Sequence, residues 1–428
     1  MRVIMTALGS RGDVYPYLGF AKALEDRGHT VTMISSGNNT PFIESAGFDY
    51  VELYDSDTFF RSKELSETAL KRRPFTDPRK RSDPDQMKGW ETTFELAPER
   101  LYRVIEKLYV PGETLVAMSE LFTFGAGGLL HEKLGVPYAR IWHMDNLLEF
   151  WQPVVGRRLK GLETLVRDKL LAMFWMGREF KRRYNRFRTE LELPPEPNFI
   201  RALVYCQQIN IVLLPRWFLP WYRDRLPNTI LTDFPLYKPD NAPQLTSELE
   251  RFLAQGSPPV LFGGASWQGL ADDYYKPSVD ACRALGVRGI LLSRDTQHLT
   301  ADQDSVIHAD PDIFYALLPR AAAMVHHGGL GTCVEVLANG VPQMTVPEMH
   351  DQPYHAKTMK RLGVSLSVPR RQYARRAIPL LKQLLESQEI RENSRRLAAR
   401  FQGGPEFSIA ISSLESLLES SRLSARSR

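Results

Sequence analysis

Apolar residues in this chain fall into short runs that end at glycine and give way to helical spacing. Val3-Ile4-Met5-Thr6-Ala7-Leu8 reads as a buried strand. It ends in Gly9-Ser10-Arg11-Gly12-Asp13-Val14-Tyr15-Pro16, followed by a helix whose apolar face is Leu18, Phe20, Ala21 and Leu24. Gly28-His29 stops that helix, and a second strand covers Thr30 to Ile34. Leu115 to Met118 and Val136 to Ile141 are further strands, joined by a small-residue helix around Gly125 to Leu134, and Ile209 to Leu214 is the last strand of this half. The basic stretch Arg157 to Arg188 carries apolar residues at Leu162, Leu165, Val166, Leu170, Met173 and Phe174, a helical stripe that covers a sheet or lies on a membrane.

The same alternation resumes after the proline-rich stretch Thr232 to Pro243. A helix at Leu245 to Ala254 leads to the strand and glycine turn Pro259-Val260-Leu261-Phe262-Gly263-Gly264-Ala265-Ser266. Ala321-Ala322-Ala323-Met324-Val325 then meets His326-His327-Gly328-Gly329-Leu330-Gly331-Thr332, and helical spacing takes over through Val336, Leu337 and Ala338. Asn339-Gly340 ends that helix, and the strand Val341 to Pro347 runs into Glu348-Met349-His350-Asp351-Gln352. Phe407 to Leu418 is amphipathic, and Ser420 to Arg428 reads as a disordered basic tail. Strands alternating with helices predict an α/β chain of two Rossmann-like domains. The boundaries are 1–232, a linker at 233–244, 245–405, and a C-terminal helix and tail at 406–428.

The chain is 428 residues long and 43% hydrophobic, enough for two globular cores. Its net charge of +5 is modest for this length and does not choose among anionic partners. Basic clusters do occur between Tyr54 and Trp90, at Lys71-Arg72-Arg73 and Arg79-Lys80-Arg81, where the hydrophobic periodicity lapses. They suit either a solvated loop or an anionic membrane surface. Nucleic acid is disfavoured because the clusters lack interleaved aromatics. Cys206, Cys282 and Cys333 are odd in number and widely spaced, which indicates neither disulfides nor zinc and favours a cytoplasmic setting, peripheral to the inner face of the membrane if the basic segment touches it. No apolar run reaches membrane-spanning length. Oligomeric state is not readable.

The histidine-glycine turn carries the chemistry. Glycines let backbone approach a ligand, and a helix start offers unpaired N–H groups and a positive dipole end, so His326 to Thr332 suits phosphates. Taken alone it is a generic phosphate-binding turn. Asp351 and Gln352 lie beyond a strand's carboxyl end, where open α/β sheets bind ligands. Gly9 to Pro16 is a poor dinucleotide fingerprint, because the second strand ends in Ser35-Ser36-Gly37 rather than an acidic residue.

His-His-Gly-Gly-Leu-Gly-Thr, Gly340-Val341-Pro342 and Asp351-Gln352, in this order and spacing, resemble the donor-binding signature of family 1 glycosyltransferases. The form resembles most the sterol glucosyltransferases, the glycopeptide-antibiotic glycosyltransferases and the rhamnosyltransferase of rhamnolipid synthesis. Gly9-Ser10-Arg11-Gly12-Asp13-Val14-Tyr15-Pro16 is similar to the first loop of the same enzymes. The resemblance implies the GT-B fold, two Rossmann-like domains facing across a cleft, and an inverting transfer of a hexose from a nucleotide-sugar to a hydrophobic alcohol or lipid. A UDP-sugar is favoured, and a dTDP-deoxysugar also fits.

Asp13 is then the catalytic base, although a turn carboxylate of this kind also caps helices. Ser10, Arg11, Gly12, Ser266, His326, His327, Gly328, Gly329, Gly331 and Thr332 bind the donor, with Asp351 and Gln352 on the sugar hydroxyls. Ala265 stands where relatives carry glycine, and Pro311-Asp312-Ile313 stands where they carry an aromatic residue that stacks on the base. His308, Phe314 and Tyr315 are the nearby substitutes. Trp142, His143, Asp145 and Phe150 occupy the region that lines the acceptor pocket. Asp55-Ser56-Asp57, Asp83-Pro84-Asp85 and Asp310-Pro311-Asp312 follow no convincing strand, so neither a metal nor a cofactor is expected. A nucleotide-sugar-binding partner protein without catalysis is the other reading left open.

Overall fold

The computed structural model describes residues 1–58, 97–119, 125–143, 178–196, 208–219, 228–239, 243–263, 271–293, 305–348 and 351–426, with Thr123 and Cys206 as isolated positions. The chain divides into two compact units, residues 1–237 with 405–428, and residues 238–404. Sequence expectations at Ser266, Asp145 and Phe150, and in the basic segment after Thr58, lie outside the described residues.

The first unit is built on seven parallel strands: β1 (Arg2–Thr6), β2 (Thr30–Ser36), β3 (Asp49–Tyr54), β4 (Thr114–Ser119), β5 (Tyr138–Trp142), β6 (Ile209–Val212) and β7 (Thr229–Leu231). Their order is β3-β2-β1-β4-β5-β6-β7. The chain winds outward from β1 through β2 to β3, then returns to β4 on the other side of β1. That reversal is the topological switch point, where the carboxyl ends of an open parallel sheet leave a crevice. The helices are α1 (Arg11–Asp26), α2 (Thr40–Ser45), α3 (Ala97–Leu108), α4 (Ala126–Leu134) and α5 (Arg178–Glu190). β4 and β5 are buried along their whole length, as parallel strands covered on both faces must be.

Six parallel strands form the second sheet: β8 (Val260–Gly263), β9 (Gly289–Leu292), β10 (Val306–Ala309), β11 (Ala323–His326), β12 (Gln343–Thr345) and β13 (Ser365–Ser367), in the order β10-β9-β8-β11-β12-β13. Its switch point lies between β8 and β11. The helices are α6 (Ser247–Ala254), α7 (Lys276–Leu285), α8 (Phe314–Leu317), α9 (Leu330–Ala338), α10 (Gln352–Arg361), α11 (Arg370–Glu386) and α12 (Gln388–Ala398). A last helix, α13 (Ser408–Arg426), belongs to the first unit. It buries Ala410, Ile411, Leu414 and Leu418 in the same core as Leu18, Phe20 and Leu24 of α1. Phe20 and Phe407 meet edge to face at 5.2 Å.

Three differences from the sequence expectation have physical causes. Of the tail expected to be disordered, Ser420 to Arg426 is instead the end of α13, whose serines bond back one turn, Ser420 to Ser416 and Ser424 to Ser420 at 2.9 Å each, with Arg422 donating to the Gly112 carbonyl. Helix α1 starts at Arg11, with Pro16 inside it. The proline removes only one N–H, and the first turn is already fixed by its cap. The short strands β7, β9, β10 and β13 have three or four residues each, too few to show a period of their own.

Candidate active site

In the first unit the site begins where β1 ends. Gly9 has φ +127°, a conformation that side chains oppose, and a Cβ there would come within 2.6 Å of the Asp13 carboxylate. That close turn lets Asp13, at the third position of α1, reach back to the Ser10 residue that caps the helix. The Ser10 N–H and hydroxyl both donate to Asp13 Oδ2, at 2.7 Å each. The cap role weighed against catalysis is therefore real, and it occupies Oδ2. Oδ1 faces His143 Nε2 at 3.8 Å, too long for a formed hydrogen bond but close enough for charge to act. Burial alone would raise the carboxyl's pKa. The His143 imidazole and the Ser10 donors outweigh it, so Asp13 is held below the usual carboxylate range.

His143 follows β5 and is 5% exposed, its ring edge-on to Tyr17 with centroids 5.2 Å apart. The Tyr17 hydroxyl donates to the Ile141 carbonyl at 3.2 Å and lies 3.1 Å from His143 Nδ1. The structure thus brings His143 to the carboxylate, although the sequence placed it among acceptor-lining residues. Trp142 requires a correction: it is 2% exposed, and its indole N–H donates to Asn210 Oδ1 at 3.3 Å, so it is a core residue rather than a pocket wall. Arg11 lies over the Phe42 ring at 4.1 Å, beside exposed Gly12.

In the second unit the turn after β11 is organised by its histidines. His326 is fully buried, with Nδ1 accepting from the Gly328 N–H at 3.2 Å and Nε2 facing Gln343 Oε1 at 3.0 Å. Gln343 in turn donates to the Cys333 carbonyl of α9 at 3.3 Å. These partners fix a neutral ring with its proton on Nε2. Burial, and then the neighbouring His327, push the His326 pKa down to about 3. His327 is pushed down to about 4, first by burial and then by His355. His326 therefore shapes the turn from behind. Gly328 has φ +91°, and a Cβ there would crowd the Gln352 carbonyl at 3.3 Å. Gly329 caps α9, with Leu330, Gly331 and Thr332 in its first turn, so the turn presents the free N–H end of a nine-residue helix.

Asp351 caps α10 with its side chain 18% exposed, and its Oδ2 lies 3.5 Å from His355 Nδ1. Gln352 is 8% exposed, and its Oε1 accepts the Glu348 N–H at 3.0 Å, so the carbonyl end of the amide holds the loop. Two residues escaped the sequence reading. His355 is fully buried and bonds the Gly328 carbonyl at 3.2 Å, with no sequence signal beyond its place four residues after Asp351. Glu335, one turn beyond Thr332, is pushed up to about 8 by burial, partly countered by Lys238. It is the lone carboxylate in the apolar run Cys333 to Leu337, which could have flagged it. Contrary to the sequence expectation, Asp55 and Asp310 do follow strands, β3 and β10, but Asp55 accepts the Thr58 N–H at 2.6 Å and Asp310 caps a short 3₁₀ turn, accepting the Asp312 N–H at 2.8 Å. Among the described residues no cluster of three metal-ligating side chains occurs.

A glycine loop after β1, and a second glycine turn feeding a helix start at the other sheet's switch point, are the features of an α/β enzyme suited to a phosphorylated ligand. Sequence comparison agrees. Residues 3–144 match the Glycosyltransferase family 28 N-terminal domain, and residues 293–417 match the domain described as Erythromycin biosynthesis protein CIII-like, C-terminal. The chain is 30% identical over 385 residues to the O-mycaminosyltylonolide 6-deoxyallosyltransferase of Streptomyces fradiae, covering 85% of each. It is 26% identical over 397 residues to the vancomycin aglycone glucosyltransferase of Amycolatopsis orientalis, covering 86% of each. The crystal structure of glycosyltransferase VinC in complex with DTDP shares the fold, with a TM-score of 0.64 at 18% identity over 98% of this chain and 100% of that one. The chain belongs to the family 1 glycosyltransferases of the GT-B fold, and it is an enzyme of that family.

Proposed function

We propose that the enzyme moves a hexose from a nucleotide-sugar to a hydroxyl of a hydrophobic small-molecule or lipid acceptor, with inversion and with Asp13 as base. The observation that carries this reading is the Asp13 carboxylate at the end of β1, held ionised and oriented by Ser10 and His143. Asp13 takes the acceptor hydroxyl's proton as the acceptor oxygen bonds to the anomeric carbon. The bond from that carbon to the diphosphate breaks on the opposite face, and the nucleoside diphosphate leaves. Its charge is met by the α9 N-terminus, the N–H groups of Gly329 and Gly331 and neutral His327, so no general acid or metal is required.

Asp351 reads sugar hydroxyls, which favours a UDP-hexose. A dTDP-deoxysugar is supported by the deoxyallosyl transfer named for the Streptomyces relative and by the nucleotide named with VinC. The vancomycin aglycone and the O-mycaminosyltylonolide named for the two relatives support a secondary-metabolite acceptor. A cytoplasmic enzyme in contact with an anionic membrane face fits the basic residues Lys181, Arg182, Arg183 and Arg186 exposed along α5, and no described helix is long and apolar enough to cross a membrane.

The test is nucleoside diphosphate release from parallel UDP- and dTDP-sugar panels with mixed lipid and polyketide alcohols, for wild type and Asp13→Asn. Acceptor-dependent release from one nucleotide class, lost in the variant and unaffected by chelator, is the expected result. Release that survives Asp13→Asn would sink the base assignment.

A further inference from the structure

Gly328 sits between two buried histidines that hold its two peptide groups. Its N–H is taken by His326 Nδ1 at 3.2 Å, and its carbonyl faces His355 Nδ1 at 3.2 Å. His355 is fully buried on α10, and the same Nδ1 lies 3.5 Å from Asp351 Oδ2. A carbonyl and a carboxylate are both acceptors, so His355 Nδ1 carries the proton. A trans peptide is planar, with its carbonyl and the next N–H pointing in opposite directions. Holding the Gly328 carbonyl towards His355 therefore turns the Gly329 N–H away from the buried side, at the cap of α9.

We infer that His355 is a positioning residue of the donor site, joining the turn that receives the diphosphate to the carboxylate that reads the sugar. The inference rests on the donor-binding role proposed above for Gly328, Gly329 and Asp351. One side chain serves two recognition elements. Its N–H sets the peptide plane of the phosphate turn, and its ring stands beside the Asp351 carboxylate one helical turn away. Gly328 can adopt φ +91° without a ligand but is not confined to it, because glycine populates several backbone regions at similar energy. The histidine removes that freedom, so the N–H of Gly329 is aimed before the donor arrives.

The experiment measures binding of UDP, dTDP and the preferred nucleotide-sugar by calorimetry, with unfolding midpoints recorded alongside. It uses the full chain as wild type, His355→Leu, His355→Asn and Asp351→Asn. Asparagine keeps an N–H near the Nδ1 position, whereas leucine keeps only bulk. The expected result is about tenfold weaker diphosphate binding in His355→Leu and about a hundredfold weaker nucleotide-sugar binding, because both halves of the site lose register. His355→Asn recovers to within about threefold, and Asp351→Asn weakens the nucleotide-sugar alone. Wild-type affinities in His355→Leu would overturn the inference, as would His355→Asn binding no better than leucine at equal stability. If leucine does not fold, His355→Asn binding within about threefold of wild type supports the inference, and more than about tenfold weaker binding at wild-type stability overturns it. Wild type that binds neither diphosphate would instead remove the donor-site reading on which the inference stands.

Discussion

The two units place similar glycine turns at the carboxyl ends of their strands and give them opposite electrostatics. In the first, Gly9 to Asp13 delivers a carboxylate that is kept ionised by Ser10 and His143. In the second, His326 and His327 are stripped of charge by burial, and what remains is a set of N–H groups at a helix start. The contrast fits the task proposed for each. A base must hold negative charge at neutral pH, and a carboxylate with hydrogen-bond donors and a nearby imidazole does so cheaply. A diphosphate needs donors, and fixed dipoles supply them without the cost of burying imidazolium cations.

The largest effect expected from breaking the contrast is at Asp13. Asp13→Asn keeps the helix cap through its amide oxygen but cannot take a proton, so kcat should fall by about 10³-fold while diphosphate binding by the second unit stays near wild type. His143→Phe should cost less. It preserves the ring packing on Tyr17 and removes the imidazole nitrogens that face Asp13 and the Tyr17 hydroxyl, so kcat should fall about tenfold and the acidic limb of its pH profile should move up. An unchanged profile would mean that the imidazole only packs.

Stability against pH sharpens the comparison within the second unit. Unfolded histidines protonate near 6.5, whereas His326 and His327 resist until about 3 and about 4. The unfolded state then binds more protons, so stability present near neutrality is lost as pH falls from about 6.5 towards those values. Glu335 acts in the other direction. It keeps its proton to about 8 against an ordinary value of 4.5, so the stability it contributes below 4.5 is lost as pH rises through about 8. Urea midpoints should show Glu335→Gln gaining about 2 kcal/mol at pH 8 over its effect at pH 4, a figure reduced because the carboxyl is half-buried. The smallest effect expected is at α13, where Arg27 bonds Glu415 at 3.0 Å with side chains 37% and 35% exposed. Arg27→Ala should cost about 0.5 kcal/mol in the unfolding of the first unit, fading in high salt.

Much of this was legible in the chain. The strand, glycine turn and helix around His326 to Ala338 stand where the apolar spacing put them, because a fully buried parallel strand is a continuous apolar run and its end is marked by glycine. Asp13 could be singled out by type and place, with both the base and the cap in view, but not the division of its oxygens between Ser10 and His143, because His143 arrives from the end of another strand. Ser420 to Arg426 was misread because polarity resembles disorder when the partner that orders it, the Gly112 carbonyl, lies 310 residues from Arg422.

The alternation of strand and helix, the two glycine turns and the family are written in the chain, since these depend on residues adjacent in it or on periods of 2 and 3.6. Only the tertiary structure decided that Trp142 is core while its neighbour His143 meets Asp13, that His326 faces inward, and that His355 joins Gly328 to Asp351. Each of those depends on which side of an element a side chain leaves and on what another element sets opposite it, and on burial that fixes a charge state. Local spacing carries none of that information.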